Sequence, residues 1–297
     1  MGVGLLKIIG CCVILLKIST KPRKDIFWIY YSILRTIIKN PKLLIDSKAS
    51  KNNFLSDYLP KTIQIMHPTG INFLSRPKFE DLARFLFAEI IAKWEPIKII
   101  NMSKEEIFVD VGANTGYYTL NIASKLKEGK IISIEADPNT FKILEKNCDI
   151  NKITNSEIHN VACSNHEGNI DFFKTDKHSG INSILDQPDN NNFNKIKIKS
   201  NTLDNILNSR FKKIDWIKID VEGAELLVLD GAQETLNYTK NIIIEIHEHI
   251  LEKNNQTSQQ IINILEKNKF KIKLFPEYWK SSSPNQILKS DYIYGEK

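Results

Sequence analysis

An α/β fold built on a mostly parallel, doubly wound sheet is what this chain of 297 residues predicts. Three observations lead there. Residues 107–116, I-F-V-D-V-G-A-N-T-G, are a β-branched and aromatic run that ends in an acid and two glycines four apart, followed by a polar segment able to form a helix. Beyond it, apolar runs at residues 131–135, 157–162, 215–222 and 241–247 alternate with helical patterns, as strand, crossover helix and parallel strand require. The length suits one large α/β domain plus an extension.

The chain opens with residues 1–50, which hold nine Lys and Arg against two Asp and Glu, a balance of +7. Residues 51–297 hold thirty-two against thirty-three, a balance of −1, so the overall +6 belongs to the amino terminus. A neutral globular part argues against nucleic acid as a partner. Lys7 and Lys17 leave nine residues free of charge between them, far short of the ~20 that a bilayer span needs. No small-residue cleavage site follows, which argues against a signal peptide. Residues 26–38 carry Trp28, Tyr30 and Tyr31 behind Lys21, Arg23 and Lys24. Two readings fit this helical extension: helices lying on an anionic membrane surface through residues 1–40, or helices docked on the domain with their lysines solvated. The expected location is cytoplasmic, peripheral on the inner face of the membrane in the first case.

Residues 39–61 read as a linker, with a proline, Ser-containing clusters and Asn52-Asn53. A strand pair is expected in residues 62–74, turning at Pro68-Thr69-Gly70. A helix over 78–94 then places Phe79, Leu82, Phe85, Leu86, Ile90 and Ile91 on one face and covers part of the ligand site. Residues 51–100 are thus a linker and cap, and residues 101–297 the main domain.

In that domain, Gly116 opens a helix that runs to about residue 127 and is stopped by Gly129. The second strand, 131–135, is followed by Asp137-Pro138, an N-cap acid with proline at the first helical position. Its helix shows Phe141, Leu144 and Cys148 inward and ends near Asn151. A third strand is expected within 157–162, which puts the turn at Cys163-Ser164 near an adenine. Residues 165–200 lose the pattern: 169–174 read as an edge strand and 186–194 as a polar, Asn-rich insertion. In 215–222, alternation sets Trp216, Lys218, Asp220 and Glu222 on one face, and ionisable groups there must pair or line a cavity. Gly223-Ala224-Glu225 opens the next helix. The fifth strand, 241–247, puts Glu245 and His247 on a face shared with His249. Thr257 or Ser258 caps a last helix with Ile261, Ile264 and Leu265 inward, and 270–275 with 291–294 close the sheet as an antiparallel edge pair.

The ligand follows from charge. Gly112 and Gly116 flank Asn114, which stands where the middle glycine of a dinucleotide fingerprint would be, so an NAD-dependent oxidoreductase is the weaker reading. Asp110, Glu135, Asp137, Asp220 and Glu222 all fall at strand ends. Carboxylates gathered there repel a pyrophosphate but suit a ligand carrying an ammonium and a sulfonium, as S-adenosylmethionine does. Glu135 lies twenty-three residues beyond Gly112, near the usual offset of the acid that binds a ribose diol. His247 beside Asp220 and Glu222 is placed for proton transfer. A metal set of His247, His249 and Asp220 is the lesser alternative, and no metal is expected. Cys11, Cys12, Cys148 and Cys163 form no C-x-x-C pair, which argues for a reducing compartment and against structural zinc.

Together the runs D-V-G-A-N-T-G-Y-Y-T-L at 110–120, I-E-A-D-P-N-T-F-K-I-L-E-K-N at 134–147, T-L-D-N-I-L at 202–207, K-I-D-V-E-G-A-E-L-L-V-L-D-G-A at 218–232 and I-I-I-E-I-H at 242–247 resemble the FkbM family of S-adenosylmethionine-dependent methyltransferases. The likeness covers roughly residues 75–275. It implies a Rossmann-like class I methyltransferase fold, with a seven-stranded, mostly parallel sheet, in residues 101–297. It also implies O-methylation of a sugar, glycan or small polyol acceptor. By position, the resemblance implies that Asp110, Gly112, Asn114 and Gly116 hold the methionine part and Glu135 the ribose; Ser164 near the adenine is expected from the strand pattern alone. For such a reaction the strand-end grouping, read independently of the resemblance, makes Asp220 or His247 the expected base and Glu222 the group that orients the acceptor.

Overall fold

The computed structural model describes residues 63–66, 71–75, 97, 99–175, 182–185, 193–274 and 292–297. The expectations for residues 1–61, for the turn at 68–70, for the helix over 78–94 and for most of the loop at 186–194 lie outside the described residues. The chain divides into two units, Met1–Lys98 and Ile99–Lys297. In the first, β1 (Ile63–Met66) pairs antiparallel with β2 (Asn72–Ser75), the strand pair expected there.

The second unit alternates as its sequence pattern predicts. The first half runs β3 (Ile107–Val111), α1 (Tyr117–Ala123), β4 (Lys130–Ile134), α2 (Pro138–Ile150), β5 (Ser156–His159), β6 (Ala162–Cys163), β7 (Gly168–Lys174), β8 (Asn194–Asn201) and α3 (Leu203–Leu207). There follow β9 (Ile214–Ile219), α4 (Glu225–Asp230), α5 (Gln233–Tyr238), β10 (Thr239–Glu245), α6 (Glu248–Lys253), α7 (Ser258–Lys267), β11 (Lys271–Leu274) and β12 (Tyr292–Glu296).

Seven strands form one sheet in the order β11-β12-β10-β9-β3-β4-β5. The run from β10 to β5 is parallel, and β12 is antiparallel to both its neighbours. The antiparallel strand is thus inserted between β10 and β11 rather than added outside them. Chain order reverses between β3 and β9, the switch point at which doubly wound sheets generally bind ligands.

Parallel strands covered on both faces need apolar side chains on both. On one face Val109, Val111, Ile132, Ile134, Ile217, Ile219, Ile242 and Ile244 join the core with Val228, Leu229, Leu236, Ile261 and Leu265. The other face carries a polar row, because Asp110 pairs in register with Ser133 on β4 and with Lys218 on β9. All three side chains are buried.

Local signals account for the helix ends. Asp137 caps α2 by accepting the Asn139 N–H at 3.1 Å, with Pro138 at the first position. Thr257 caps α7 in a reciprocal box with Gln260, whose side chain accepts the Thr257 N–H at 2.8 Å. Helix α1 ends earlier than expected, at Ala123.

Two boundaries depart from the sequence reading. Strand β5 ends at His159, where Asn160 turns its amide onto the carbonyls of Glu135 at 2.9 Å and Ala136 at 3.2 Å. Cys163 therefore belongs to β6, in a second sheet of order β6-β8-β7, and the expected edge strand is β7 of that sheet. Strand β10 ends at Glu245, so His247 caps helix α6 and His249 lies within it. Cys148 and Cys163 are buried thiols whose pKa burial pushes up. Among the described residues no helix is long and apolar enough to cross a membrane.

Candidate active site

The turn after β3 brings three left-handed residues together: Gly112 at φ +75°, Asn114 at +50° and Gly116 at +99°. Gly112 and Ala113 both donate their N–H to the Ile134 carbonyl at 2.9 Å, which pins the turn to the end of β4. A Cβ at Gly112 would stand 1.8 Å from the Asp220 carbonyl oxygen, so only glycine lets this turn pass the loop after β9. Gly116 caps α1.

Glu135 follows β4 and is buried. Its Oε2 accepts the Asn114 N–H and its Oε1 the Asp137 N–H, both at 2.8 Å. Each oxygen keeps a second lone-pair direction. Burial pushes the Glu135 pKa up to about 7, with the nearby Asp137 charge adding to the rise and these two backbone donors opposing it.

Lys218 sits at the middle of the polar row. Its ammonium donates to the Gly112 carbonyl at 3.0 Å and to Asp220 Oδ2 at 3.2 Å, stands 3.5 Å from Asp110 Oδ1, and lies 5.1 Å from the centre of the Tyr118 ring. Asp110 is fully buried, with Oδ2 accepting the Thr119 hydroxyl at 2.8 Å. Burial raises its pKa while Lys218 pulls the other way. Asp110 thus acts on the glycine turn through Lys218, a residue the sequence marked only as a pairing partner.

The three residues expected to carry chemistry do meet. His247 Nε2 lies 3.2 Å from Glu222 Oε2 and 4.0 Å from Asp220 Oδ1. Glu222 reaches this place because it adopts φ +53° just after β9, which breaks the strand alternation. Its carbonyl accepts the Ser183 hydroxyl at 2.8 Å. On the far side of the ring, His247 Nδ1 is 2.7 Å from Oε1 of Glu225, a fully buried residue that sequence reasoning placed only at a helix start. Burial works against the charged imidazole, but the Glu225 hydrogen bond and the charges of Glu222, Glu225 and Asp220 outweigh it, raising the His247 pKa to about 10. His249 is exposed on α6 and absent from this group.

Ser164 lies apart from these groups in its bonding. It is fully buried, and its hydroxyl is engaged by Ser200 Oγ at 2.5 Å and the His166 carbonyl at 3.3 Å. The turn at the tip of β5 is residues 160–161.

A doubly wound sheet with a glycine turn at its switch point and acids at its strand ends has the layout in which α/β proteins generally take a small nucleotide-like ligand. Residues 110–272 match the methyltransferase FkbM domain, more than half of the chain, and the protein belongs to that methyltransferase family. Methyltransferase sdnD of Sordaria araneosa is 23% identical over 218 residues, which cover 63% of this chain and 83% of that protein. Among solved structures, Methyltransferase FkbM from Methylobacillus flagellatus KT is similar at 16% identity and a TM-score of 0.43. The match covers 72% of this chain and 52% of that one, so the chain spans about half the length of that relative. M. jannaschii TYW2 in complex with AdoMet aligns at 14% identity and a TM-score of 0.39, over 80% of this chain and 85% of that one.

Proposed function

We propose that the protein transfers a methyl group from S-adenosylmethionine to a hydroxyl of a sugar, glycan or other small polyol. The observation that carries this reading is the ring of acids around a glycine turn at the switch point, with the Glu135 carboxylate fixed by the Asn114 and Asp137 N–H groups. The residues fit such a donor. The free lone pairs of Glu135 suit two ribose hydroxyls, and the turn of Gly112, Asn114 and Gly116 offers close backbone approach to the methionine part. The negative charge around that turn favours an ammonium and a sulfonium over phosphates. Bound there, the donor supplies an electrophilic methyl carbon whose bond to sulfur breaks as the acceptor oxygen bonds to it.

A neutral hydroxyl is a poor nucleophile, and Asp220 is placed to take its proton. With 27% of its side chain exposed, it is the most open carboxylate of the group, and Lys218 holds its Oδ2 in position. Glu222 and His247 stand beside Asp220 and would orient the acceptor. Most of the rate then comes from positioning, and the base contributes about two to four orders of magnitude. Asp220→Asn should lower turnover by that much and leave the dissociation constant for S-adenosylmethionine within about twofold. Loss of donor binding in this variant would instead move Asp220 into the donor pocket. For residues 1–40, binding to an anionic membrane surface is the partner reading, tested by co-sedimentation with phosphatidylserine vesicles against phosphatidylcholine ones.

A further inference from the structure

We infer that Asp220, Glu222 and His247 form a site for one divalent cation, and that this cation grips two neighbouring hydroxyl oxygens of the acceptor. The acceptor half of this inference rests on the O-methyltransferase reading; the cation half does not. One ligand atom from each residue lies within 4.8 Å of the other two, and the contacts of His247 Nε2 measure 3.2 Å to Glu222 and 4.0 Å to Asp220. Adjacent ligands on an octahedral ion with bonds of about 2.1 Å stand about 3 Å apart. Closing the set around an ion shortens these separations by about 1–2 Å at most.

The support for His247 is what a metal-binding histidine needs. Glu225 accepts from Nδ1 at 2.7 Å and from the Gly223 N–H at 3.0 Å, which fixes the ring and aims Nε2 at the two carboxylates. The other oxygen of Glu225 is buried and has no hydrogen-bond partner among the described residues. Three carboxylates thus surround one imidazole, with the Lys218 ammonium shared between Asp110 and Asp220. An ion on His247 Nε2 displaces the proton that nitrogen carries; among the described residues the carboxylate charge around the ring exceeds what one imidazolium offsets, and Asp220 and Glu222 are partly exposed. Two carboxylate oxygens and one imidazole nitrogen suit Mn²⁺, Fe²⁺ or Zn²⁺ better than Ca²⁺.

Three protein ligands leave open positions on the ion, and a vicinal diol fills two of them. The ion lowers the pKa of a bound hydroxyl. Its proton then passes to Asp220 Oδ2, the oxygen held by Lys218, while Oδ1 ligates the cation.

The test uses the full chain stripped with EDTA and titrated with Mn²⁺, read by the loss of the free-ion electron paramagnetic resonance signal, with Zn²⁺ as competitor. S-adenosylmethionine binding is measured in parallel by calorimetry. The expected result is one Mn²⁺ site, weakened at least tenfold in Glu222→Gln and by roughly 10–100-fold in Glu225→Gln, with donor binding retained in both. Retained donor binding also certifies that the variants fold. Wild-type protein that binds the donor but neither cation, or a Glu222→Gln protein that binds Mn²⁺ as well as wild type, overturns the cation site and leaves the methyltransferase reading standing. Cation binding without donor binding does the reverse.

Discussion

The Lys218 ammonium lies 3.5 Å from the Asp110 carboxylate, one strand away in the buried polar row, and holds the Gly112 carbonyl at 3.0 Å. Strand, turn and rim are joined at this pair. Lys218→Met leaves Asp110 buried and unpaired, and should cost about 3–5 kcal/mol of stability. Adding Asp110→Asn should recover part of that loss, and urea unfolding of both variants checks it. Equal stabilities for Lys218→Met and wild type would show that the pair bears no weight.

At Gly112 the backbone is left-handed and a Cβ would overlap the Asp220 carbonyl. Gly112→Ala should therefore displace the loop after β9 and lower the thermal midpoint by several degrees, as a loss of 1–3 kcal/mol would in a domain of this size. Donor binding should fall with it. An unchanged midpoint would mean that the turn and the loop are not in contact in solution.

Glu135 sets a pH dependence. Its folded pKa is raised from 4.5 to about 7, so its protonated form is the better tolerated one in the folded state. The contribution is full below about pH 4.5 and is lost as pH rises through 7, by at most roughly 3 kcal/mol. Urea midpoints of wild type should fall relative to Glu135→Gln between pH 5 and 8. Parallel curves would contradict the burial of this acid.

The opposite sign applies at Glu157. Two hydrogen bonds from Arg210, at 2.9 and 3.0 Å, lower its pKa to about 2. The stabilisation is present above about pH 4.5 and fades as pH falls toward 2. This pair is partly exposed, so Arg210→Ala should cost less than about 1 kcal/mol at pH 7. The difference from wild type should vanish in unfolding curves at pH 2.

Much of this was legible in the residues. Strand β3 and its turn show in a β-branched run ending in Asp110 and two glycines, and α2 and α7 announce themselves by Asp137-Pro138 and by Thr257 with Gln260. Pairing of Lys218 with an acid follows from alternation alone. Strand β8 is not legible although Lys195, Ile196, Lys197, Ile198 and Lys199 alternate, because its partner β7 lies across a polar insertion and alternation names no partner. The ends of β5 and β10 are not legible for a related reason: the apolar pattern continues past the last ladder bond. What stops β5 is a long-range contact, the Asn160 side chain on the Glu135 and Ala136 carbonyls. Glu225 bonds His247 across twenty-two residues, and no local pattern announces such a contact.

The central claim is that the acid-rimmed switch point binds S-adenosylmethionine. Calorimetric titration of the full chain with S-adenosylmethionine and with NAD, side by side, tests it most directly. The account predicts about one equivalent of S-adenosylmethionine bound, at least tenfold weaker in Glu135→Ala, a loss of about 1.4 kcal/mol, and no heat with NAD. Binding of NAD in its place, or donor affinity indifferent to Glu135→Ala, would contradict it.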